Sequence, residues 1–135
     1  MKYLLDTNVL SEAMKKRPDP KVMERLRAER PGDLVTSVVC VSELRYGAAR
    51  VSGTVKLWDR IAREVLSTIE ALPLGDAETL RAGDLLADLE SRGEPIGVED
   101  VWIAATALEN RLTVVTRNLR HFERVAGLNC ESWWG

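Results

Sequence analysis

The amino-acid sequence predicts an α/β protein with a mainly parallel central sheet and helices on both faces, in three layers. Short apolar runs that suit buried strands alternate along the chain with longer stretches of helical periodicity. This alternation follows the order β-α-α-β-α-α-(β)-α-α-β-α-β, which is typical of parallel strands joined by right-handed helical crossovers. The 135 residues contain no internal repeat and no convincing linker. We therefore expect a single domain spanning residues 1–135, large enough to bury a core.

The composition is typical of a soluble globular protein, with 45% hydrophobic and 30% charged residues. No apolar run approaches the roughly 20 residues of a membrane helix, and Met1 leads almost directly into the first strand, so we expect neither a membrane segment nor a signal peptide. Cys40 and Cys130 match no metal-ligand spacing, which favours two reduced thiols in a cytoplasm. The formal net charge of −2 neither favours nor excludes a nucleic-acid partner, because metal-binding carboxylates would offset basic residues.

Three apolar runs predict the main strands. Tyr3–Leu5 is short and wholly apolar, which suits a buried strand. Residues 34–39 and 112–116 are rich in β-branched side chains, which favour strands. A short strand or extended link is expected at 72–74, and residues 127–134 fit an edge strand.

Six longer stretches predict helices from their periodicity and boundary signals. Residues 55–71 have the pattern of one long amphipathic helix. Residues 76–92 follow a predicted cap at Asp76, and residues 98–110 are apolar nearly all round, which indicates a buried helix. The predicted helices cover residues 9–16, 21–30, 40–49, 55–71, 76–92 and 98–110, with a helical turn after residue 117.

Polar residues follow each main strand where it ends. Asp6 comes directly after the first strand, and Glu43 follows the second, where we expect it in the first turn of a helix. The third strand runs into Thr116 and Asn118, and Asp100 opens the buried helix. Because the carboxyl ends of parallel strands share one edge of the sheet, three carboxylates are expected to converge on one cleft there.

Each of these residues also has a local explanation. Thr7 or Asn8 could cap the first helix, which would leave Asp6 as a turn residue. Glu43 and Asp100 could each complement the dipole of a helix N-terminus. A cap explains one polar residue after the first strand, but it does not require three.

A converging cluster of carboxylates needs a counter-charge. Bare acids crowded together repel, and at least one would hold a proton, whereas a divalent cation removes the conflict. Oxygen ligands without histidine or cysteine indicate Mg²⁺ or Mn²⁺ rather than zinc. Such cations typically act on phosphates, so the residues point to hydrolysis of a phosphodiester or phosphomonoester.

Four segments, in order and suitably spaced, resemble the motifs of the PIN domain family. The matches span nearly the whole chain and are highly specific when taken together. They are residues 5–10, residues 43–47, Asp100 with residues 103–107, and residues 114–118 with Phe122 and residues 127–128.

Within that family the chain resembles the VapC-type toxins of bacterial toxin–antitoxin pairs, including the FitB-like and plasmid-stability members. The resemblance implies a Mg²⁺- or Mn²⁺-dependent ribonuclease that acts on RNA, forms a homodimer and is held inactive by a cognate antitoxin. It also implies that Asp6, Glu43 and Asp100 are the metal ligands and that Asn8 and Thr116 support them.

The fourth motif departs from the family pattern. Asn118 and His121 stand where an acid is often found, and we take Asn118 as the fourth catalytic position. A lone histidine more often packs or faces solvent, so His121 receives no acid–base role. Three arginines could hold the RNA backbone, although each is also explained as surface charge, namely Arg45, Arg117 and Arg120.

Two other functions compete with this interpretation. A phosphatase of the haloacid-dehalogenase type also places an aspartate after its first strand, but it needs a second aspartate where this chain has Asn8. A non-catalytic PIN-like module that binds RNA or a protein partner would not need all three acids. Retention of those acids favours the nuclease.

Overall fold

The computed structural model describes residues 1–135 and confirms the predicted α/β class. Five parallel strands form one sheet in the order β3-β2-β1-β4-β5, with β1 at the centre. The strands are β1 Tyr3–Leu5, β2 Leu34–Ser37, β3 Glu70–Leu72, β4 Thr113–Val115 and β5 Cys130–Glu131. The helices are α1 Thr7–Ala13, α2 Pro20–Ala28, α3 Val38–Ala49, α4 Thr54–Ile61, α5 Asp76–Ser91, α6 Val98–Glu109 and α7 Leu119–Phe122.

The central strands are short and fully buried, as their apolar sequences predict. Leu4 and Leu5 of β1 have no exposed surface, and Leu5 pairs with Val115 of β4. Thr36 of β2 is also buried, and its Oγ1 donates to the main-chain oxygen of Leu5 at 2.7 Å. This bond satisfies the hydroxyl and ties β2 to β1 at the carboxyl edge of the sheet.

The predicted helix over 55–71 is confirmed as far as residue 66 and is wrong beyond it. The chain forms α4, then a π-helical turn over Ala62–Leu66, and then β3, which pairs in parallel with Val35–Ser37. At the end of the π turn the Thr68 hydroxyl donates back to the Val65 carbonyl at 2.9 Å. Such side-chain bonds to the backbone compete with helix continuation, and pairing with β2 then gives the next residues sheet partners.

The boundary between β2 and α3 also differs from the prediction. The β-branched run suggested a strand up to residue 39, but the helix begins at Val38, and the Ser37 side chain caps it by accepting from the Val39 N–H at 3.0 Å. Glu43 therefore lies in the second turn of α3, not the first. A favourable interaction with the helix dipole is confined to the first turn, so it does not explain why an acid stands at position 43.

Two other helix starts differ from the expected caps. Asp6 itself caps α1, which begins at Thr7, so neither Thr7 nor Asn8 is the cap. Gly75 precedes α5, and Asp76 is the first helical residue. At the far end of the sheet β5 is an edge strand, as predicted. No helix is long and apolar enough to cross a membrane.

Candidate active site

Asp6 lies at the carboxyl end of the central strand, where β1 stands between β2 and β4. Its main-chain N–H donates to the Val115 oxygen at 2.9 Å, so the residue continues the sheet ladder before α1 begins. Only 5% of Asp6 is exposed. The side chain therefore emerges from the middle of the sheet edge, which is the position that the sequence predicted for it.

The Asp6 carboxylate is held entirely by neutral donors. Oδ1 accepts from the Thr7 N–H at 2.8 Å, and Oδ2 accepts from Thr116 Oγ1 at 2.8 Å and from Asn8 Nδ2 at 3.3 Å. Burial raises the pKa of Asp6 to about 6; the hydrogen bonds oppose that shift, while the charges of Asp100 and Glu43 add to it. A buried carboxylate with no cationic partner is a costly group that a bound cation would stabilise.

Glu43 extends from α3 toward the same place. Thr7 Oγ1 donates to Glu43 Oε1 at 2.8 Å, so Thr7 bonds to one acid through its main chain and to a second through its hydroxyl. Burial also raises the pKa of Glu43, and the Thr7 bond opposes this shift. No lysine or arginine nitrogen lies within 4.0 Å of the carboxylates of Asp6 or Glu43.

Cys40 lies beside these two acids, a position that was not predicted from the sequence. Ligand atoms of Asp6, Cys40 and Glu43 all lie within 4.8 Å of one another, and Cys40 Sγ is 4.0 Å from Asp6 Oδ1. The signal was the three-residue spacing of Cys40 and Glu43, which places both on one face of α3. Burial, and then the Asp6 charge, raise the pKa of the Cys40 thiol to about 11. In the metal-free chain the thiol is therefore protonated at neutral pH, and its soft sulfur is a poorer match for Mg²⁺ or Mn²⁺ than the carboxylate oxygens beside it.

Asp100 enters the cleft from the first turn of α6. The preceding Gly97 has φ of 93°, a conformation that favours glycine and turns the chain sharply into the helix. Asp6, Glu43, Asp100 and Asn118 line one open cavity of about 430 Å³. The structure thus brings together the four side chains that the sequence singled out.

His121 contacts Asp100, although sequence reasoning gave it no role. Its Nδ1 lies 2.8 Å from Asp100 Oδ2 and 2.9 Å from Asn118 Nδ2. Asn118 is fixed in turn, because its main-chain N–H donates to Thr116 Oγ1 at 2.9 Å. The fourth motif therefore holds an acid of the cleft through an imidazole rather than adding a further carboxylate.

Some of the predicted supporting residues and arginines lie in the site, and others lie outside it. Asn8 bridges the site, since it donates to Asp6 and its Oδ1 accepts from the Arg117 N–H at 3.1 Å. Arg117 lines the cavity, whereas Arg45 and Arg120 do not. Arg45 instead lies over the ring of Trp58, 4.9 Å from its centroid.

Five residues that the sequence did not assign to the site also line the cavity, namely Thr7, Ser11, Glu12, Lys15 and Trp134. Glu12 is buried, and it accepts from Lys15 Nζ at 3.0 Å and from the Asp19 N–H at 2.9 Å. Trp134 comes from the end of the chain. Because Lys15 is paired with Glu12, the lining retains an excess of negative charge that fits a hard divalent cation.

Comparison with known proteins places this fold and site in a family. The PIN domain profile matches residues 3–128. Over 133 residues the chain is 34% identical to Ribonuclease VapC2 of Haemophilus influenzae, with 98% of each chain covered. It is 35% identical to the tRNA(fMet)-specific endonuclease VapC of Shigella flexneri, also over 133 residues and 98% of each.

Comparison with solved structures gives the same family assignment as the sequence relatives. FitAcB from Neisseria gonorrhoeae superposes with a TM-score of 0.90 at 30% identity, covering 98% of both chains. VapBC-5 from Mycobacterium tuberculosis, described as a member of the VapBC family of toxin–antitoxin systems, gives a TM-score of 0.71 at 25% identity over 99% of this chain and 98% of that one. The chain therefore belongs to the PIN domain family, and within it to the VapC group.

Proposed function

We propose that this chain is a metal-dependent endoribonuclease toxin that hydrolyses RNA phosphodiester bonds and is neutralised by a cognate antitoxin. The observation that carries the proposal is the buried Asp6 carboxylate, which shares one cavity with Glu43 and Asp100 and has no cationic partner. The names of the VapC relatives, a ribonuclease and a tRNA endonuclease, support the same activity.

The donor set fits Mg²⁺ or Mn²⁺. Asp6, Glu43 and Asp100 offer carboxylate oxygens, and Asn118 can add a neutral carbonyl oxygen. When bound, such a cation supplies Lewis-acid polarisation of the phosphodiester and compensates the negative charge that develops on it. These residues make up the proposed catalytic set, with Asp6, Glu43 and Asp100 as the metal ligands.

The remaining residues orient these ligands. Thr7 bonds to both Asp6 and Glu43, and Thr116 holds the second oxygen of Asp6. Asn8 connects Asp6 to the main chain at Arg117, whose exposed guanidinium is positioned to meet an RNA phosphate at the rim of the cavity. Fixed ligands lower the cost of organising the site when the substrate arrives.

The proposed antitoxin has a groove beside the site. A cavity of about 250 Å³ opens between α1, α3 and α4, and Thr7 and Glu43 form part of its wall. Its apolar lining comes from residues such as Met14, Leu44 and Leu57. An apolar segment seated there would reach the acids and block RNA.

A homodimer is supported by exposed apolar side chains on α3 and α6. Tyr46 is 64% exposed, and it lines a cavity of about 680 Å³ together with Val38 and Trp102. Contiguous exposed apolar surface of this kind marks interaction sites. A second copy of the chain on this face would bury these side chains, and sedimentation at micromolar concentration would detect it.

The function is tested by incubating the purified chain with an end-labelled RNA panel that includes initiator tRNA(fMet). We expect discrete internal cuts in Mg²⁺ or Mn²⁺ and none in EDTA. Binding without cuts in either metal would assign the chain to the non-catalytic RNA-binding class instead. Release of phosphate from p-nitrophenyl phosphate with no RNA cleavage would favour the phosphatase.

A further inference from the structure

Trp134 is the one large aromatic side chain in the wall of the acidic cavity. It lies next to Trp133 in sequence, but the two residues have different surroundings. Trp133 is buried against Tyr3, with ring centroids 5.3 Å apart, and its Nε1 donates to Glu131 at 2.8 Å. Trp134 is only partly buried and lines the cavity with the three acids. Trp133 lies within the core, whereas Trp134 packs against the edge of the core and also forms part of the cavity wall.

The position of Trp134 is fixed by contacts with the cavity wall. Its main-chain N–H donates to Ser132 Oγ at 3.2 Å, and the Arg117 guanidinium lies 5.4 Å from its ring centroid. Although it is the penultimate residue, Trp134 is therefore held against Ser132 and against Arg117 in the loop after β4.

Arg117 connects this indole to the catalytic acids. Its side chain lies over the Trp134 ring while its main-chain N–H donates to Asn8, which in turn donates to Asp6. An aromatic face and a guanidinium thus stand together beside a carboxylate cluster. Stacking on aromatic rings combined with basic contacts to the backbone is how proteins bind single-stranded nucleic acid.

We propose that Trp134 is the stacking platform for a nucleobase beside the scissile phosphate, with Arg117 contacting the adjoining backbone. This inference rests on the proposed ribonuclease function and adds a determinant of which nucleotides bind. The acids recognise phosphate, which every nucleotide carries, so discrimination requires a contact with a base. Stacking on an aromatic ring tolerates every base, and differences in stacking strength add at most a modest preference among them.

The test uses a uridine 12-mer that carries one central 2-aminopurine, whose fluorescence is quenched when it stacks on an indole. Binding is measured in Mg²⁺ in an Asp100→Asn background so that the RNA stays intact. We expect quenching by the parent indole, its loss in Trp134→Leu and affinity lowered about tenfold. Trp134→Phe retains a ring and should retain most of the affinity.

Trp58→Leu is the matched control, since Trp58 is also partly buried and also lies under an arginine, but outside the cavity. It should quench and bind as the parent does. In the otherwise unmodified chain, Trp134→Leu should raise KM for a cleaved RNA with little change in kcat, and circular dichroism checks that it is folded.

Loss of the stacking role and loss of the ribonuclease function give different results in these experiments. If the parent cuts RNA but Trp134→Leu keeps the same quenching and KM, Trp134 is not a base platform. If Trp134→Leu binds RNA normally and loses affinity for the antitoxin, the residue belongs to the protein interface and the inference is overturned. A parent that neither binds nor cuts RNA refutes the function itself.

Discussion

The two halves of the acidic cavity are built in different ways. The strand half consists of Asp6, Thr7, Asn8 and Thr116, and its acid is nearly inaccessible and receives hydrogen bonds from the other three residues. The helix half consists of Asp100 and Asn118, with His121 behind the lining and its Nδ1 within 2.9 Å of both. The Asp100 side chain is 20% exposed and the imidazole 38%. Sheet geometry fixes the first half, whereas the second depends on how α6 packs against α7.

This difference assigns separate tasks to the two halves. In the strand half a carboxylate is desolvated and surrounded by neutral donors, so its charge is costly until a cation binds. In the helix half an acid is close to a titratable ring that is open to solvent. We expect the strand half to control whether a metal binds, and the helix half to control how well the remaining ligand is oriented.

The largest expected effect comes from neutralising one acid in each half. Asp6→Asn and Asp100→Asn should each lower RNA cleavage on the order of 1000-fold, because each removes a charge worth several kcal/mol in a metal site. Both variants should stay folded, since removing a charge from a repelling cluster does not destabilise the unliganded chain.

Cleavage of one labelled RNA in Mg²⁺ measures this effect. The control is Asp59→Asn, an exposed acid on α4 outside the cavity. It should cut at the parent rate. Parent-like cutting by either cavity variant would show that the proposed site is wrong.

The fold could be predicted where burial leaves a sequence pattern. β1, β2 and β4 are inner strands with apolar runs, and each was found. β3 was predicted only in part, since the sequence indicates a short strand or extended link at 72–74 and the strand is Glu70–Leu72. Only Leu72 of its three residues is buried, so the segment carries a weak strand signal of its own. Its pairing with β2 is a tertiary effect that overrides the helical pattern before it.

The site was predictable to the same extent. Asp6 follows from a strand end, because parallel strands present their carboxyl ends at one edge. Glu43 and Asp100 follow from two helices that the sequence places beside that edge. The contact between His121 and Asp100 joins residues of two helices, and no periodicity fixes how those helices meet. Cys40 was missed for a different reason, since its three-residue spacing from Glu43 places both on one face of α3 but does not show that this face meets Asp6.

The next effect concerns only the strand half and the metal-free protein. The pKa of Asp6 is about 6 in the folded chain against 3.8 for the free side chain, so between those pH values the folded state holds a proton that the unfolded state has lost. Stability from this group is complete below about pH 4 and falls as pH rises to 6. The loss is about 3 kcal/mol, at 1.36 kcal/mol per unit of pKa.

Urea unfolding in EDTA at pH 4 and pH 7 measures this loss. Asp6→Asn should gain stability relative to the parent by about 3 kcal/mol between the two pH values. The comparison cancels the titration of other acids, which both proteins share. Equal pH dependence in the two proteins would mean that the Asp6 carboxylate is not desolvated.

A slightly smaller effect tests whether Glu43 belongs to the ligand set. A cation that binds only the folded state stabilises it by about 2.7 kcal/mol at 100 times Kd. Mn²⁺ should therefore raise Tm of the parent as its concentration increases, and do so far less for Glu43→Gln. The glutamine keeps an oxygen to accept the Thr7 hydroxyl, so the local structure is preserved.

Thermal melts at increasing Mn²⁺ concentration measure the rise in Tm. The control is Glu64→Gln, a substitution on the exposed surface. An identical rise in Tm for Glu43→Gln and the parent would remove Glu43 from the ligands and leave the metal to Asp6 and Asp100.

The smallest effect tests the helix half, where one nitrogen has two neighbours. His121 Nδ1 can donate to Asp100 when it carries a proton, or accept from the Asn118 amide when it does not, but it cannot do both at once. A deprotonated Asp100 requires the first arrangement. Groups that orient a metal ligand typically contribute about 10- to 100-fold to activity. His121→Ala should therefore lower cleavage about tenfold, and His121→Asn should restore most of it, because an asparagine amide can donate from nearly the position of Nδ1.

Substitutions at Asn118 distinguish an effect on the orientation of the metal ligands from an effect on the charge of the helix half. Asn118→Ala should also lower activity, whereas Asn118→Asp adds a carboxylate to the cavity and should tighten Mn²⁺ binding without RNA, because ligand charge sets affinity for hard cations. Calorimetric titration of the two His121 variants and the two Asn118 variants with Mn²⁺ shows whether each side chain acts through ligand charge or through ligand orientation. If His121→Asn is as impaired as His121→Ala while both bind Mn²⁺ like the parent, the imidazole does more than hold Asp100, and its exposed Nε2 would then be the atom that meets the substrate. If His121→Ala and His121→Asn both cut RNA at the parent rate, Asp100 is oriented by α6 alone. The two halves of the cavity are then less different than their contacts imply.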